Sequence, residues 1–221
     1  MTTSPRKKVA ARTAKRREPT GLSQEAIRAA ALRLIDQDGL EAFSTRKLGR
    51  TLGCEAMAIY WYYESKEALL DAVVDNLMEN IGAVVNGEDR HDWISALRGV
   101  AHAYRQIAHA HPKAFPLLAT RRFASEGSFA FLEQLFELAR RAGIDDRTVA
   151  WFFRVVSSFC NGFALNELAT SQAPSTAVLR KRFARVAAVS AWLEPKYLDE
   201  IFSFGLEVQL EALARTTKTT R

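Results

Sequence analysis

Between Ser44 and Tyr63 the chain reads Ser-Thr-Arg-Lys-Leu-Gly-Arg-Thr-Leu-Gly-Cys-Glu-Ala-Met-Ala-Ile-Tyr-Trp-Tyr-Tyr, and no other stretch constrains the fold as much. Ser44 is placed to cap a helix that carries Leu48 and Leu52 four apart on one face. Gly53 supplies a tight turn, and a short helix then runs from Glu55 to about Tyr62. Ser65 caps a longer helix with Leu69, Leu70, Val73, Val74, Leu77 and Ile81 turned inward. Upstream, Ser23 and Gly39 bracket a helix whose Ile27, Ala30, Ala31, Leu34 and Ile35 form one apolar stripe. Two short helices joined by such a turn are the helix–turn–helix arrangement, in which the second helix enters the DNA major groove.

Helical periodicity continues to the end of the chain, and alternating strand patterns are hard to find. The expectation is therefore all-α: an N-terminal three-helix helix–turn–helix domain plus a larger C-terminal helical domain. A breaker-rich joint at 82–92, with Gly82, Gly87 and Glu88-Asp89, precedes the larger domain. Its helices are expected over roughly 92–109, 113–120, 126–142, 146–169, 175–191 and 195–214. Gly143 and Pro174 mark breaks, and Pro195 suits the first turn of the last helix. The expected division is a disordered basic tail at 1–21, a DNA-binding domain at 22–66, a ligand-binding and dimerisation domain at 67–214, and a flexible tail at 215–221.

Charge narrows the function classes. Residues 1–18 hold seven basic side chains against Glu18, a surplus of six that equals the net charge of the whole chain. The remainder is formally neutral, so a basic tail and not a basic globule sets the balance. Arg-rich, acid-poor ends also occur in transit peptides, but this one has no Leu, Ile, Phe or Trp to build an apolar face. No apolar run approaches the roughly 18 residues of a membrane span. Cys54 and Cys160 lie far apart in helical segments and read as reduced thiols. His102, His109 and His111 have no carboxylate or thiol at ligand spacing, so neither metal nor cofactor is expected. No Gly-rich phosphate loop, nucleophile elbow or Cys/His pairing is present, which argues against an enzyme.

Within the short second helix, Ala56, Met57 and Ala58 occupy the early positions that meet base edges. Small side chains at 56 and 58 permit close approach, and Met57 can touch thymine methyls. Ile59 and Tyr63, four apart, face the core. Tyr60, Trp61 and Tyr62 are expected to offer hydroxyl and indole donors to phosphates, with Thr45, Arg46 and Lys66 doing the same from helix starts.

Residues 23–81 resemble the DNA-binding domain of the TetR family of transcriptional regulators. The resemblance rests on Gly39-Leu40-Glu41, Ser44-Thr45-Arg46-Lys47-Leu48, Leu52-Gly53, Tyr60-Trp61-Tyr62 and Lys66-Glu67-Ala68-Leu69-Leu70-Asp71. Leu118-Ala119-Thr120-Arg121, Gly162-Phe163-Ala164-Leu165 and Phe204-Gly205-Leu206-Glu207 resemble the tetracycline-repressor-like branch of its regulatory domain. The resemblance implies a cytoplasmic all-α homodimer that reads a palindromic double-stranded DNA operator and is released by a small-molecule effector. It implies pairing of helices near 146–169 and 195–214 with their twofold mates, and Val155, Phe163, Phe202, Leu206 and Leu213 are the expected interface residues. The family's metal-chelated tetracycline site uses two histidines and an asparagine; the matching positions here are Gly82, Leu117 and Val100. The wall implied by the match is Val100, Tyr104, Leu117, Phe159 and Asn166, which suits an apolar or aromatic effector without metal.

A ligand-responsive repressor is one reading, and a non-specific architectural DNA-coating protein driven by the tail is the other. Residues 19–66 carry six basic and six acidic groups. A neutral reading head favours selective docking, because coating draws its affinity from phosphate neutralisation.

Overall fold

Three serine caps fix where the N-terminal helices begin. In the computed structural model, which describes residues 22–85, 93–121, 126–169 and 181–219, Ser23 Oγ accepts from Ala26 N at 3.0 Å. Ser44 Oγ accepts from Lys47 N at 3.2 Å, and Ser65 Oγ from Ala68 N at 3.0 Å. Each satisfies an amide that the first helical turn would otherwise leave unpaired. The helices they start are α1 (Gln24–Asp38), α2 (Thr45–Leu52) and α4 (Lys66–Val85), with the short α3 (Ala56–Ile59) between the last two. Gly53 takes φ +67° at the end of α2, the left-handed conformation that ends the helix and makes the turn.

Ile27, Ile35, Leu48, Ile59 and Leu69 are fully buried where α1, α2, α3 and α4 meet. Burial of such a side chain stabilises by about 1.5–3 kcal/mol. Gly49 permits the tight pairing of α2 with α3: a Cβ there would lie 2.7 Å from Cys54 O and 3.1 Å from Ala56 N. Tyr62 and Tyr63 tie the end of this unit back to its beginning, donating from their hydroxyls to Leu22 O at 3.0 Å and Gln24 O at 2.9 Å.

The second part comprises α5 (Trp93–Ala110), α6 (Phe115–Arg121), α7 (Glu126–Arg141), α8 (Asp146–Leu168), the short α9 (Ala184–Ser190), a 3₁₀ turn at Pro195–Tyr197 and α10 (Leu198–Thr219). No strand occurs among the described residues. The long α4 belongs to both parts, packing on α1 near the head and on α5, α6 and α7 beyond it. Two helices, α8 and α10, pack side by side against α5.

Several boundaries differ from expectation. The second helix of the motif ends at Ile59 rather than Tyr62; Trp61 N to Ala58 O (3.3 Å) and Tyr62 N to Ile59 O (3.0 Å) continue it only as turns. Helix α4 runs through Gly82 to Val85 without breaking there. The last helix extends to Thr219, so 215–219 is helical rather than a flexible tail, with Thr216 Oγ1 donating to Ala212 O at 2.9 Å. Of the expected helix at 175–191, the structure gives α9 from Ala184 to Ser190. The tail at 1–21, most of the joint at 86–92 and Pro174 lie outside the described residues.

One helix, α8, is long and apolar enough to cross a membrane by length and composition, with a mean hydropathy of 1.2 over its most apolar window. Arg154, Asn161 and Asn166 interrupt it, so it is not an unbroken apolar run. Its apolar residues divide between a stripe packed into the core (Val149, Val156, Cys160, Ala164) and a second, exposed stripe.

Candidate nucleic-acid interface and effector pocket

The reading head presents a small, mixed surface. Met57 is 62% exposed, and Tyr60 and Trp61 are exposed beside it, whereas Ile59 is wholly buried beneath. Ala56 and Ala58 are half-buried, Thr45 is half-buried and Arg46 exposed at the start of α2. Tyr60 Oη lies 3.3 Å from Thr45 Oγ1, joining the two helices of the motif across their outer face. Lys66 donates to Phe43 O at 3.3 Å with its ammonium 5.5 Å from the Phe43 ring, so its position at the start of α4 is set by the head itself. Tyr62 sits elsewhere than expected. Its half-buried ring packs on the core and its hydroxyl is committed to Leu22 O, which turns it away from the outer face. A four-residue helix followed by a turn rotates the third aromatic inward, where the spacing had placed all three outward.

A cavity opens between α4, α5, α7 and α8 behind the head. Its walls are Met78 and Ile81 of α4, Leu97, Val100, Ala101 and Tyr104 of α5, Phe131 of α7, and Phe153, Val156, Ser157 and Cys160 of α8. The unfilled volume is about 40 Å³, room for about three water molecules. Among the described residues no charged side chain lines it. Tyr104 donates from its hydroxyl to Asn161 Oδ1 at 2.9 Å, and Asn161 Nδ2 reaches Ala119 O on α6 at 3.5 Å.

Of the five residues implied as its wall, the structure brings Val100 and Tyr104 to the cavity and puts the other three elsewhere. Leu117 is buried on α6 but does not reach it. Phe159 faces α10 instead, stacking on Phe202 (centroids 5.5 Å apart) over Gly205, where a Cβ would come within 2.7 Å of its ring. Asn166 is exposed, since it lies on the outer side of α8; the amide that meets Tyr104 is Asn161.

Beside the cavity lies an ionic cluster, buried at Arg105 and Glu167 and open to solvent at Asp199, that sequence spacing did not signal. Arg105, 8% exposed, donates from Nε and Nη2 to both carboxylate oxygens of Glu167 (2.8 and 2.6 Å) and pairs with Asp199 at 2.7 Å. Its guanidinium lies 4.9 Å from the Phe202 ring centroid. Foremost, the hydrogen bonds that Arg105 donates to Glu167 raise the Arg105 pKa, against the pull of burial. Burial alone would raise the Glu167 pKa, but the hydrogen bonds and charge of Arg105 outweigh it and hold the carboxyl below its ordinary value. The three histidines are not gathered. His102 packs edge-on to Phe202, His109 lies 3.3 Å from Glu167 Oε2, and His111 Nδ1 donates to Asp36 Oδ2 at 2.7 Å.

The expected interface also needs correction. Phe202, Leu206 and Leu213 are 0% exposed within the single chain, because that side of α10 packs on α5 and α8, and Phe163 is half-buried beside them. The face left open is the neighbouring one. Along α8 it carries Trp151 (65% exposed), Val155 (52%) and Leu165, and along α10 Phe204 (73%) and Val208 (50%). Ser158 and Gly162 continue the α8 stripe at spacings of three and four, as a helix-pairing face would.

Comparison with known proteins bears on both halves. Residues 27–73 match the family model described as bacterial regulatory proteins, tetR family, and residues 86–216 match the tetracyclin repressor-like C-terminal domain. The chain is 31% identical over 212 residues to the class A tetracycline repressor protein from transposon 1721 of Escherichia coli, covering 89% of this chain and 92% of that protein. Among solved structures, a possible TetR family transcriptional regulator from Streptomyces coelicolor A3(2) superposes with a TM-score of 0.75 at 24% identity, over 88% of this chain and all of that one. The Streptomyces coelicolor TetR family protein ActR, in complex with actinorhodin, superposes with a TM-score of 0.73 at 21% identity, over 90% and 99% of the two chains. Both structures establish the likeness of fold.

Proposed function

Because the chain belongs to the TetR family of bacterial transcriptional regulators, we propose that it is a repressor released from a palindromic operator by a small apolar or aromatic effector. The observation that carries this reading is the continuity of α4. It starts at Lys66 beside the reading helix and lines the cavity with Met78 and Ile81, about 18 Å further along its axis. A molecule wedged against those two side chains acts on the helix that aims the head.

Two heads must dock about one helical turn apart, or a multiple of it, so a small change in their separation prevents simultaneous docking. The effector achieves this only through different affinities for the two poses, and operator weakens effector by the same factor. The uncharged lining supports a neutral, largely apolar molecule. Two copies would join through Trp151, Val155, Leu165, Phe204 and Val208, a face whose apolar area suits a second copy better than water. In the head, Met57 with Ala56 and Ala58 would read bases, while Tyr60, Trp61, Thr45, Arg46 and Lys66 would hold phosphates. The site of action would be the cytoplasm, where the DNA is.

Selection from random duplex DNA, followed by a release screen with neutral aromatic compounds, tests this reading. A palindromic motif and competitive release are expected. Binding without any motif, with affinity tracking salt alone, would favour the architectural alternative. Val100→Leu fills part of the cavity without the overpacking of a larger ring, and should raise the compound concentration needed for release while leaving operator binding intact.

A further inference from the structure

The chain's whole surplus of charge precedes the reading head, and the head itself has none. Residues 1–18 carry seven basic side chains, among them Arg12, Lys15, Arg16 and Arg17, against Glu18, whereas residues 19–66 balance six basic groups with six acidic ones. Half of the head's cations are also engaged within the protein. Lys47 pairs with Asp38 at 2.7 Å, Arg28 with Glu79 at 3.1 Å, and Lys66 gives an N–H to Phe43 O at 3.3 Å. Duplex DNA presents one negative charge per roughly 1.7 Å of its axis, and neutralising those phosphates supplies much of a protein's affinity for it. The head alone meets that field with little to set against it.

The structure shows where the basic segment joins the head. Leu22, the first described residue, accepts through its carbonyl from Tyr62 Oη at 3.0 Å, and Gln24 Nε2 donates to Tyr62 O at 3.2 Å. Tyr62 closes the turn after α3 and directly follows Tyr60 and Trp61, which are exposed on the outer face of the motif. The chain therefore enters the head beside the reading helix. Arg17 is five residues from Leu22 and Arg6 sixteen, so a fully extended chain carries them at most about 18 Å and about 58 Å from that anchor. The first distance is about half a turn of duplex and the second about one and a half turns.

We propose that residues 1–18 lay their basic side chains along the phosphates of the duplex flanking each half-site, supplying the electrostatic part of operator affinity while the neutral head supplies the selectivity. The inference rests on the repressor reading above and adds to it a second DNA-contacting surface outside the motif. An anionic membrane or an acidic protein could be met by a basic segment attached anywhere on the molecule. This one is attached next to the residues that face DNA, and before Leu22 it has no Leu, Ile, Phe or Trp to sink into a lipid surface.

Three proteins test it: the full chain, a deletion of residues 2–18, and the full chain with R12Q/K15Q/R16Q/R17Q. All three should unfold at the same temperature, because none of the described core contacts is altered. The deletion should weaken binding to the selected operator about a thousandfold or more at 50 mM salt, and lower the slope of log K against log salt by about 3 or more for the dimer. The glutamine variant should show about half of that change in slope, and the base preference of both should stay that of the full chain. Adding about 10 base pairs beyond each half-site should tighten the full chain about tenfold and leave the deletion unchanged. Equal slopes for the full chain and the deletion overturn the proposal, and so does a selected motif that changes when the segment is removed. Equal slopes with a loss of binding to vesicles of anionic lipid would assign the segment to a membrane instead. If the full chain selects no operator, the repressor reading fails, and the slopes on random duplex still decide whether the segment meets phosphates.

Discussion

The reading head and the regulatory half solve the packing problem in different ways. The head is shaped by local devices, namely three serine caps, a left-handed Gly53 and a glycine at 49 that brings α2 within touching distance of α3, and is closed by Tyr62 and Tyr63 bonding back to Leu22 and Gln24. Its core is finished within one chain. The regulatory half is held by stripes on long helices and by an ion cluster bridging residues up to 94 apart, from Arg105 to Asp199. It leaves a second set of apolar stripes uncovered. The difference teaches that the head can act as a rigid body, whereas the larger part keeps exposed apolar stripes, which the second copy proposed above would cover.

The largest expected effect separates the two faces of α10. Phe204→Glu with Val208→Glu places charges on the open face, and should shift the monomer–dimer equilibrium by about a thousandfold or more while helicity is retained. Phe202→Ala, two residues away, removes a wholly buried ring and should cost about 3–5 kcal/mol of stability. Sedimentation and thermal unfolding of both variants decide the matter. If the Phe204/Val208 variant stays dimeric, the open face is not the interface and the comparison with the head fails.

In the head, the equivalent stress is Gly49→Val. Its Cβ has no room beside Cys54 O, a backbone atom that cannot swing aside, so α2 and α3 must separate. Operator binding should fall about a hundredfold or more, with thermal stability lowered by roughly 2–3 kcal/mol through the overpacking. Full binding by this variant would show that the angle between the two helices is not held as the structure has it.

These two tests also mark what was legible in the sequence. Caps, the Gly53 turn and the helical stripes could be read because they are local rules acting over three or four residues. Gly49 could not, because its need arises from a tertiary approach five residues on. Phe202 and Phe204 are both apolar and differ by about 200° around the helix, and which faces inward depends on where α5 and α8 lie. Likewise Asn161 and Asn166 sit about 140° apart on α8, so an error of five residues replaces the amide that holds Tyr104 with one in solvent. Among three consecutive aromatics, composition showed that not all could tuck inward; only the short length of α3 selects Tyr62.

The ion cluster gives the regulatory half a pH dependence. Arg105→Met leaves Glu167 buried without its main partner and should cost about 3 kcal/mol at neutral pH. Glu167 has its carboxyl pKa depressed in the folded chain, with the Arg105 pair outweighing burial. Its contribution is therefore complete above the ordinary value of 4.5 and is lost as pH falls below that, through the folded value. Urea unfolding of wild type and Glu167→Gln between pH 7 and pH 3 should converge towards the acid end. Parallel curves across that range would remove the cluster as a source of acid sensitivity.

The smallest effect concerns which residues of the head carry sequence information. Met57 is the most exposed large apolar side chain of the head, and it belongs to the short reading helix. Met57→Ala should relax preference at one or two symmetric base pairs, each by about 1–3 kcal/mol, without altering the salt dependence. Tyr60→Phe removes the hydroxyl beside Thr45 and should weaken binding evenly across operator variants, as a phosphate contact does. Parallel selections with wild type and both variants read this directly. A motif identical in the wild type and in Met57→Ala would take base reading away from that side chain. A motif altered in Tyr60→Phe would mean that the turn after α3 reaches the groove floor, and that the reading surface extends beyond the four-residue helix.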